Sequence, residues 1–130
     1  MQGLIGPLKE LAEFEELCKN KKKDAGMIRV CGCVNSQKSH MMYALGDGCK
    51  YKVIACSSET KAKQIYEEYR FLDSNTYLYP AKDFLFYQAD IRSKELVKQR
   101  MEGIQAVLSG EPVTVVTSLD GFMDHLAPKE

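Results

Sequence analysis

A near-match to the phosphate-binding loop of nucleotide-binding proteins lies between Gly32 and Ser39, in the sequence GCVNSQKS. In that loop, written G-x-x-x-x-G-K-[ST], backbone N–H groups hold the phosphates, the lysine reaches the outer phosphates and the hydroxyl binds magnesium. Gly32, Lys38 and Ser39 occupy the matching positions, but Gln37 replaces the second glycine. Because that glycine lets the backbone approach the phosphates closely, the pattern predicts a vestigial nucleotide site at Gly32, Gln37, Lys38 and Ser39.

Hydrolysis of a nucleotide needs further carboxylates, one to hold magnesium and one to position water. No Asp-Glu pair follows a predicted strand, and Asp120 and Asp124 fall at the predicted start of a helix after the last strand. We therefore predict no catalytic residue in this chain. The simplest alternative to a nucleotide site is a strand-to-helix turn kept for architecture, and a small-molecule site would need a closed pocket at residues 32–38.

Short β-rich segments alternate with helical patterns along the chain. Strands are predicted at 27–31, 51–57, 76–80 and 112–118, and amphipathic helices at 7–23, 58–72 and 90–110. This alternation predicts an α/β fold whose parallel strands are joined by helical crossovers. The apolar positions predicted to face the core are Leu8, Leu11, Phe14, Leu17 and Cys18 in the first helix, Ala62, Ile65, Tyr66, Tyr69 and Leu72 in the second, and Ile91, Leu96, Val97, Met101, Ile104 and Leu108 in the third.

Cysteine and aromatic side chains offer two weaker candidate sites. Cys31 and Cys33 form a C-x-C pair with His40 nearby, but a structural zinc site needs four ligands, so the five cysteines are predicted to be free, buried thiols. An aromatic cluster surrounds Pro80 and comprises Tyr77, Tyr79, Phe84, Phe86 and Tyr87. Its rings suit packing in the core, an interdomain surface or stacking on nucleic-acid bases.

Composition narrows the class of protein. The chain has 130 residues, of which 45% are apolar and 28% charged, with 18 acidic and 18 basic side chains. A neutral chain of this size suits one globular domain, without a general attraction to nucleic acid or anionic membrane. No apolar run approaches the length of a membrane span, and the odd number of cysteines fits a reducing compartment, so a cytoplasmic location is expected.

Two segments together carry a resemblance to a known family. RVCGCVNSQKSHMMYAL followed by KVIACSSETKAKQIYEEYRFL resembles the first two motifs of the helicase-type domains in the excision-repair protein UvrB. LYPAKDFLFYQADIRSKELVKQRMEGIQAVLSGEPVTVVTSLDGFM resembles the UvrB-like N-terminal module of bacterial transcription-repair coupling factors, the Mfd family. The resemblance covers residues 27–130 and implies a P-loop NTPase-like parallel sheet flanked by helices, incomplete in this chain, after an N-terminal helix at residues 1–26.

The resemblance also implies a function. Proteins of the Mfd family are ATP-dependent DNA translocases that displace stalled RNA polymerase and recruit UvrA for nucleotide excision repair. Their UvrB-like module carries a degenerate nucleotide loop, which fits Gln37, and lacks the DNA-clamping hairpin of UvrB, for which DFLFYQADIRSKEL leaves no room. The implied role is a non-catalytic scaffold that docks on other domains of the same protein.

In that family, ATP, Mg²⁺, UvrA, RNA polymerase and double-stranded DNA are bound elsewhere in the parent protein. The alternative is a UvrB-type helicase fragment that still binds ATP. An edge strand without its neighbour is also a template for pairing, so we expect dimerisation at high concentration.

Overall fold

The computed structural model describes residues 5–22, 26–82 and 90–124, with two compact units, Met1–Asp47 and Gly48–Glu130. The first unit contains α1 (Gly6–Lys9), α2 (Ala12–Lys22) and α3 (Asn35–Leu45). The second contains β1 (Tyr51–Cys56), α4 (Glu59–Tyr69), β2 (Thr76–Tyr79), α5 (Asp90–Ser109), β3 (Val113–Ser118) and α6 (Leu119–Met123). None of the helices in these described ranges combines the length and apolar composition of a membrane-spanning helix.

The helix predicted at 7–23 is divided into α1 and α2 at Glu10 and Leu11. In an unbroken helix Ile5 and Phe14 would lie about 13 Å apart along the axis. The break brings both side chains into one buried cluster with Ala44 of α3. As a consequence Leu11, predicted to face the core, is exposed at the junction.

The strand predicted at 27–31 is wrong, because these residues form an irregular segment. A strand needs a neighbour to take up its N–H and C=O groups, and the described part of the first unit contains no strand. Its apolar residues are accordingly solvent-accessible, with Met27 93% exposed. The apolar run was therefore not a sign of a buried strand.

The second unit is an α/β structure built on a three-stranded parallel sheet in the order β1-β3-β2. The β1–β3 register pairs Tyr51 with Val113, and the β2–β3 register pairs Thr76 with Thr114. The strands predicted at 51–57, 76–80 and 112–118 are confirmed. β3 is buried along most of its length, whereas β1, predicted to be buried, is an edge strand with Tyr51 and Val53 half exposed.

The two long helices of this unit cover opposite faces of the sheet. Glu59 of α4 contacts Ser118. Gly103 of α5 faces the other side, where a Cβ added to it would lie 3.7 Å from Cδ2 of Tyr79 and 3.9 Å from Cβ of Tyr77. In β3, Thr117, which pairs with Tyr79, faces the side opposite to Ser118. The chain crosses from β1 over β3 to β2 and then returns, so right-handed crossovers place successive helices on opposite sides.

The predicted core faces are confirmed in α4 and are wrong in part in α5. Ala62 and Tyr69 of α4 are fully buried. Among the α5 positions whose burial is described, 94–109, the buried ones are Arg100 and Gly103, and Met101 is 60% exposed. Val97 and Leu108 are also exposed, whereas Leu96 and Ile104 are partly buried, because the face that carries Gly103 lies toward the sheet. Ile91 lies outside the residues whose burial is described.

Candidate functional site

The predicted nucleotide-site residues lie at the entry to α3 in the first unit. Gly32 has a left-handed backbone with φ of 85° and marks the bend before the helix. α3 begins at Asn35, so Gln37 and Lys38 already belong to its first turn. A phosphate loop places its lysine at the start of the helix and leaves the residues between its two glycine positions as an open turn. In this chain α3 already includes the last two of those residues, Asn35 and Ser36, together with Gln37.

The polar side chains of this turn bond to neighbouring groups. Oε1 of Gln37 accepts the N–H of Val34 over 3.2 Å, which is one half of a capping box. Nζ of Lys38 donates to Oδ1 of Asn35 over 3.3 Å, and its side chain remains exposed. Ser39 is buried, with 3% of its surface exposed. Gly32 thus precedes α3, and Gln37, Lys38 and Ser39 lie in its first turns. The side chain of Gln37 caps the helix.

Two lysines of the first unit therefore differ in what they can bind. Nζ of Lys21 donates to the carbonyl oxygens of Leu45 and Asp47 over 2.6 and 3.1 Å, at the carboxyl end of α3. A cation there satisfies orphan carbonyls and the helix dipole. Lys38, at the opposite end of the same helix, donates to the amide oxygen of Asn35 and has an exposed side chain, so its ammonium group can meet an anion.

Polar residues of the second unit meet at the carboxyl edge of its sheet, where ligands of parallel α/β folds bind. Oε1 of Glu59, just after β1, accepts the hydroxyl of Ser118 at the end of β3 and the N–H of Ala81 after β2, the latter over 3.1 Å. Oγ of Ser118 in turn accepts the N–H of Gly121 over 3.0 Å and caps α6. One carboxylate therefore ties the ends of all three strands together.

A second network surrounds Arg100 of α5, whose side chain is 8% exposed. Its Nη1 donates to Oδ2 of Asp124 over 2.9 Å and to the carbonyl oxygen of Pro80, and its Nη2 donates to the hydroxyl of Tyr79. Oδ2 of Asp124 also accepts the N–H of Lys82 over 3.0 Å. Burial raises the pKa of Tyr79, Arg100 lowers it and Asp124 raises it, and the net pKa is above its ordinary value.

Asp73 forms a third polar group at the opposite, amino end of the strands. Its Oδ2 accepts from Nζ of Lys52 and from the hydroxyl of Thr114, each over 2.8 Å, and its Oδ1 accepts the N–H of Asn75 over 3.1 Å. Burial alone would raise the pKa of Asp73, but these hydrogen bonds and the charge of Lys52 outweigh it and lower the pKa. This carboxylate links β1, β3 and the turn before β2.

The carboxylates of Glu59, Asp73 and Asp124 therefore all accept hydrogen bonds that link different elements of the second unit. The prediction that Asp120 and Asp124 lie at the start of a helix is confirmed for Asp120, in the first turn of α6, and is wrong for Asp124, which follows the end of α6. Glu59, Asp73 and Arg100 were not predicted as site residues. Glu59 could have been found because it follows a predicted strand closely, whereas the contacts of Arg100 with residues 20 to 24 positions away leave no local signal.

The cysteines are all free thiols, as predicted, but the prediction that they are buried is wrong. Cys31 is exposed and the other four are partly exposed. Among the described residues no group of three or more His, Cys, Asp or Glu side chains is arranged to hold a metal ion. Burial raises the pKa of the Cys56 thiol, Lys61 lowers it and Glu59 raises it, for a net increase.

The aromatic cluster predicted around Pro80 is described only in part. Tyr79 and Pro80 are buried and Tyr77 is partly buried, which favours the core alternative for these residues. Phe84, Phe86 and Tyr87 lie outside the described residues. Comparison with known proteins finds no matching family model, no similar curated protein and no similar solved structure.

Proposed function

We propose that this chain is a non-catalytic α/β scaffold, the first part of a UvrB-like module of the Mfd type. Its role is to support neighbouring domains of a DNA translocase that displaces stalled RNA polymerase and recruits UvrA. The observation that carries the proposal is Gln37: it stands where a phosphate loop needs glycine, and its side chain caps the N-terminus of α3. The nucleotide-loop pattern is thereby reused to stabilise a helix.

Two further observations support a structural role. Glu59, at the sheet edge where a hydrolytic site would need a carboxylate, bonds to Ser118 and to Ala81. Asp124 is paired with Arg100. In addition, only the residues between Tyr79 and Asp90 connect β2 to α5, which is too short a connection for a long DNA-clamping hairpin. These features favour a supporting module over a UvrB-type motor.

The alternative function, a helicase fragment that still binds ATP, has one observation in its favour. Gly32 retains the left-handed backbone that phosphate loops use, and Lys38 is exposed. For ATP to bind, two hydrogen bonds would have to break: the one from the Val34 N–H to Gln37 and the one from Nζ of Lys38 to Asn35. Loss of the Lys38 amine should therefore weaken ATP binding if the alternative function is correct, and should have no effect on a scaffold.

The experiment compares two variants of the full-length protein. A Cβ at residue 121 would lie 2.5 Å from Oγ1 of Thr117 and 3.2 Å from the carbonyl oxygen of Tyr79, so Gly121→Ala disrupts the packing of α6 on the sheet. We expect Gly121→Ala to reduce UvrA recruitment while ATP hydrolysis by the motor continues, and Lys38→Ala to change neither. Loss of ATP hydrolysis in Lys38→Ala, or undiminished UvrA recruitment by a Gly121→Ala protein whose module has unfolded, would contradict the scaffold role.

A further inference from the structure

The outer edge of β2 carries backbone groups without a strand partner in the described residues. β2 lies at the end of the sheet order and pairs only with β3. The N–H of Thr114 donates to the carbonyl oxygen of Asn75, and the β2–β3 register continues from there. Because bonding residues alternate in a parallel ladder, Tyr77 and Tyr79 bond toward β3, and the N–H and C=O groups of Thr76 and Leu78 point away from the sheet.

A groove of about 620 Å³ lies beside this edge, between α4 and α5. Leu78, Pro80 and Leu96 form its apolar part. Pro80 is buried and its carbonyl oxygen accepts from Arg100, so strand pairing along this edge would end at Leu78. The groove therefore combines unpaired backbone groups with apolar side chains, the two features that an added peptide strand uses.

The charges around the groove are unequal. Among the described residues, its lining includes the carboxylates of Glu59, Glu67 and Glu95 and one cation, Lys63. Glu59 is already bonded to Ser118 and Ala81, which leaves Glu67 on α4 and Glu95 on α5 to meet a ligand from the two sides. Glu67 forms only a loose, exposed pair with Arg70, at 3.8 Å. The electrostatics of the groove thus favour a basic ligand.

We propose that this groove binds an extended, basic peptide segment of a partner protein, which adds to β2 as a fourth strand. The backbone of the peptide bonds to Thr76 and Leu78, one of its apolar side chains packs on Leu78 and Leu96, and its lysine or arginine side chains reach Glu67 and Glu95. This site lies in the second unit and does not depend on the nucleotide loop or on the proposed scaffold role.

A labelled synthetic peptide that repeats Lys-Lys-Val is the probe, because this repeat places lysines on both faces of an extended strand, and its fluorescence anisotropy is measured against the chain. We expect saturable binding that the double variant Glu67→Gln/Glu95→Gln weakens by about fivefold. The matched control Glu102→Gln/Glu111→Gln removes the same charge from exposed positions outside the groove and is expected to bind as the native chain does. A peptide that repeats Glu-Glu-Val, and a backbone N-methylated form of the lysine peptide, are both expected to bind much more weakly.

Amide hydrogen exchange locates the contact. On peptide binding, exchange at Leu78 and Thr76 should slow by tenfold or more, while exchange at Tyr77, already bonded to β3, should change little. Equal affinity for the acidic or N-methylated peptide, equal affinity of the groove and control variants, or unchanged exchange at Leu78 would overturn the proposal. Slowed exchange at Leu78 that follows the concentration of the chain alone would identify a second copy as the occupant, and would also overturn it.

Discussion

Oε1 of Gln37 accepts the N–H of Val34 over 3.2 Å, so the residue that interrupts the nucleotide-loop pattern is also the residue that caps α3. A glycine at this position could not make this bond, because it has no side chain. Gln37 therefore provides a helix cap and places a side chain where a phosphate loop would have none.

Arg100 is expected to be the most sensitive polar position in the second unit. Arg100→Met removes the donors to Pro80, Tyr79 and Asp124 and leaves the Asp124 carboxylate without its cation. We predict a loss of about 3 kcal/mol in the free energy of unfolding, measured by urea denaturation. The control Lys98→Met breaks the exposed 3.8 Å pair with Glu102 and should cost less than about 0.5 kcal/mol. Equal losses for the two variants would contradict the role assigned to Arg100.

Asp73 should make stability depend on acid pH. Its pKa is lower in the folded chain than its ordinary value of 3.8, so its contribution is present above that value and is lost as the pH falls through the folded pKa. We predict that Asp73→Asn costs about 1–2 kcal/mol near neutral pH. The difference from the native chain should shrink below pH 3.8, as seen in urea titrations.

The control for this experiment is Asp47→Asn, which changes an exposed carboxylate in the first unit. The effect of Asp47→Asn on the free energy of unfolding should be small both near neutral pH and below pH 3.8. A cost of Asp73→Asn that persists unchanged in acid would mean that the carboxylate charge is not what stabilises the β1–β3 junction.

The thiols are expected to react in a defined order. Cys31 is exposed, whereas Cys56 is partly buried and its pKa is raised, which lowers the thiolate fraction at neutral pH. Limited alkylation with iodoacetamide, followed by mass spectrometry, should label Cys31 well before Cys56. Lys61→Ala should slow Cys56 further because the Lys61 charge lowers its pKa, and Lys63→Ala serves as the control. Labelling of Cys56 as fast as Cys31 would show that its thiolate is stabilised rather than disfavoured.

β1 is an edge strand of the described sheet, and this position predicts self-association at high concentration. Val113 donates its N–H to Lys50, so in the alternating ladder the backbone groups of Tyr51, Val53 and Ala55 point away from β3. Val53 is 56% exposed, and Val53→Lys should prevent pairing without unfolding the sheet, because charged residues protect edge strands. Sedimentation velocity should show dimers for the native chain and for Thr60→Lys, a control on α4, but not for Val53→Lys. A native chain that stays monomeric at millimolar concentration would contradict this.

The sequence was informative where the signal is local. β-branched and aromatic residues predicted all three strands of the sheet, and the spacing of Ala62 and Tyr69 predicted the buried face of α4. Three features depended on long-range packing and could not be predicted: the break at Leu11, the missing strand at 27–31 and the buried guanidinium of Arg100. Val53 is exposed because β1 lies at the edge of the sheet. Whether a strand lies at the edge or in the centre depends on the strand order and not on the residues of that strand.

Calorimetric titration of Mg-ATP into the chain, beside Lys38→Ala and Gln37→Gly, tests whether the loop at residues 32–39 binds a nucleotide. We predict no heat of binding for the native chain or for Lys38→Ala, because Gln37 caps a helix where a phosphate loop would be open. Binding restored by Gln37→Gly would assign the loss to that one residue. Micromolar binding by the native chain that Lys38→Ala abolishes would contradict a vestigial loop and would make this domain a nucleotide sensor.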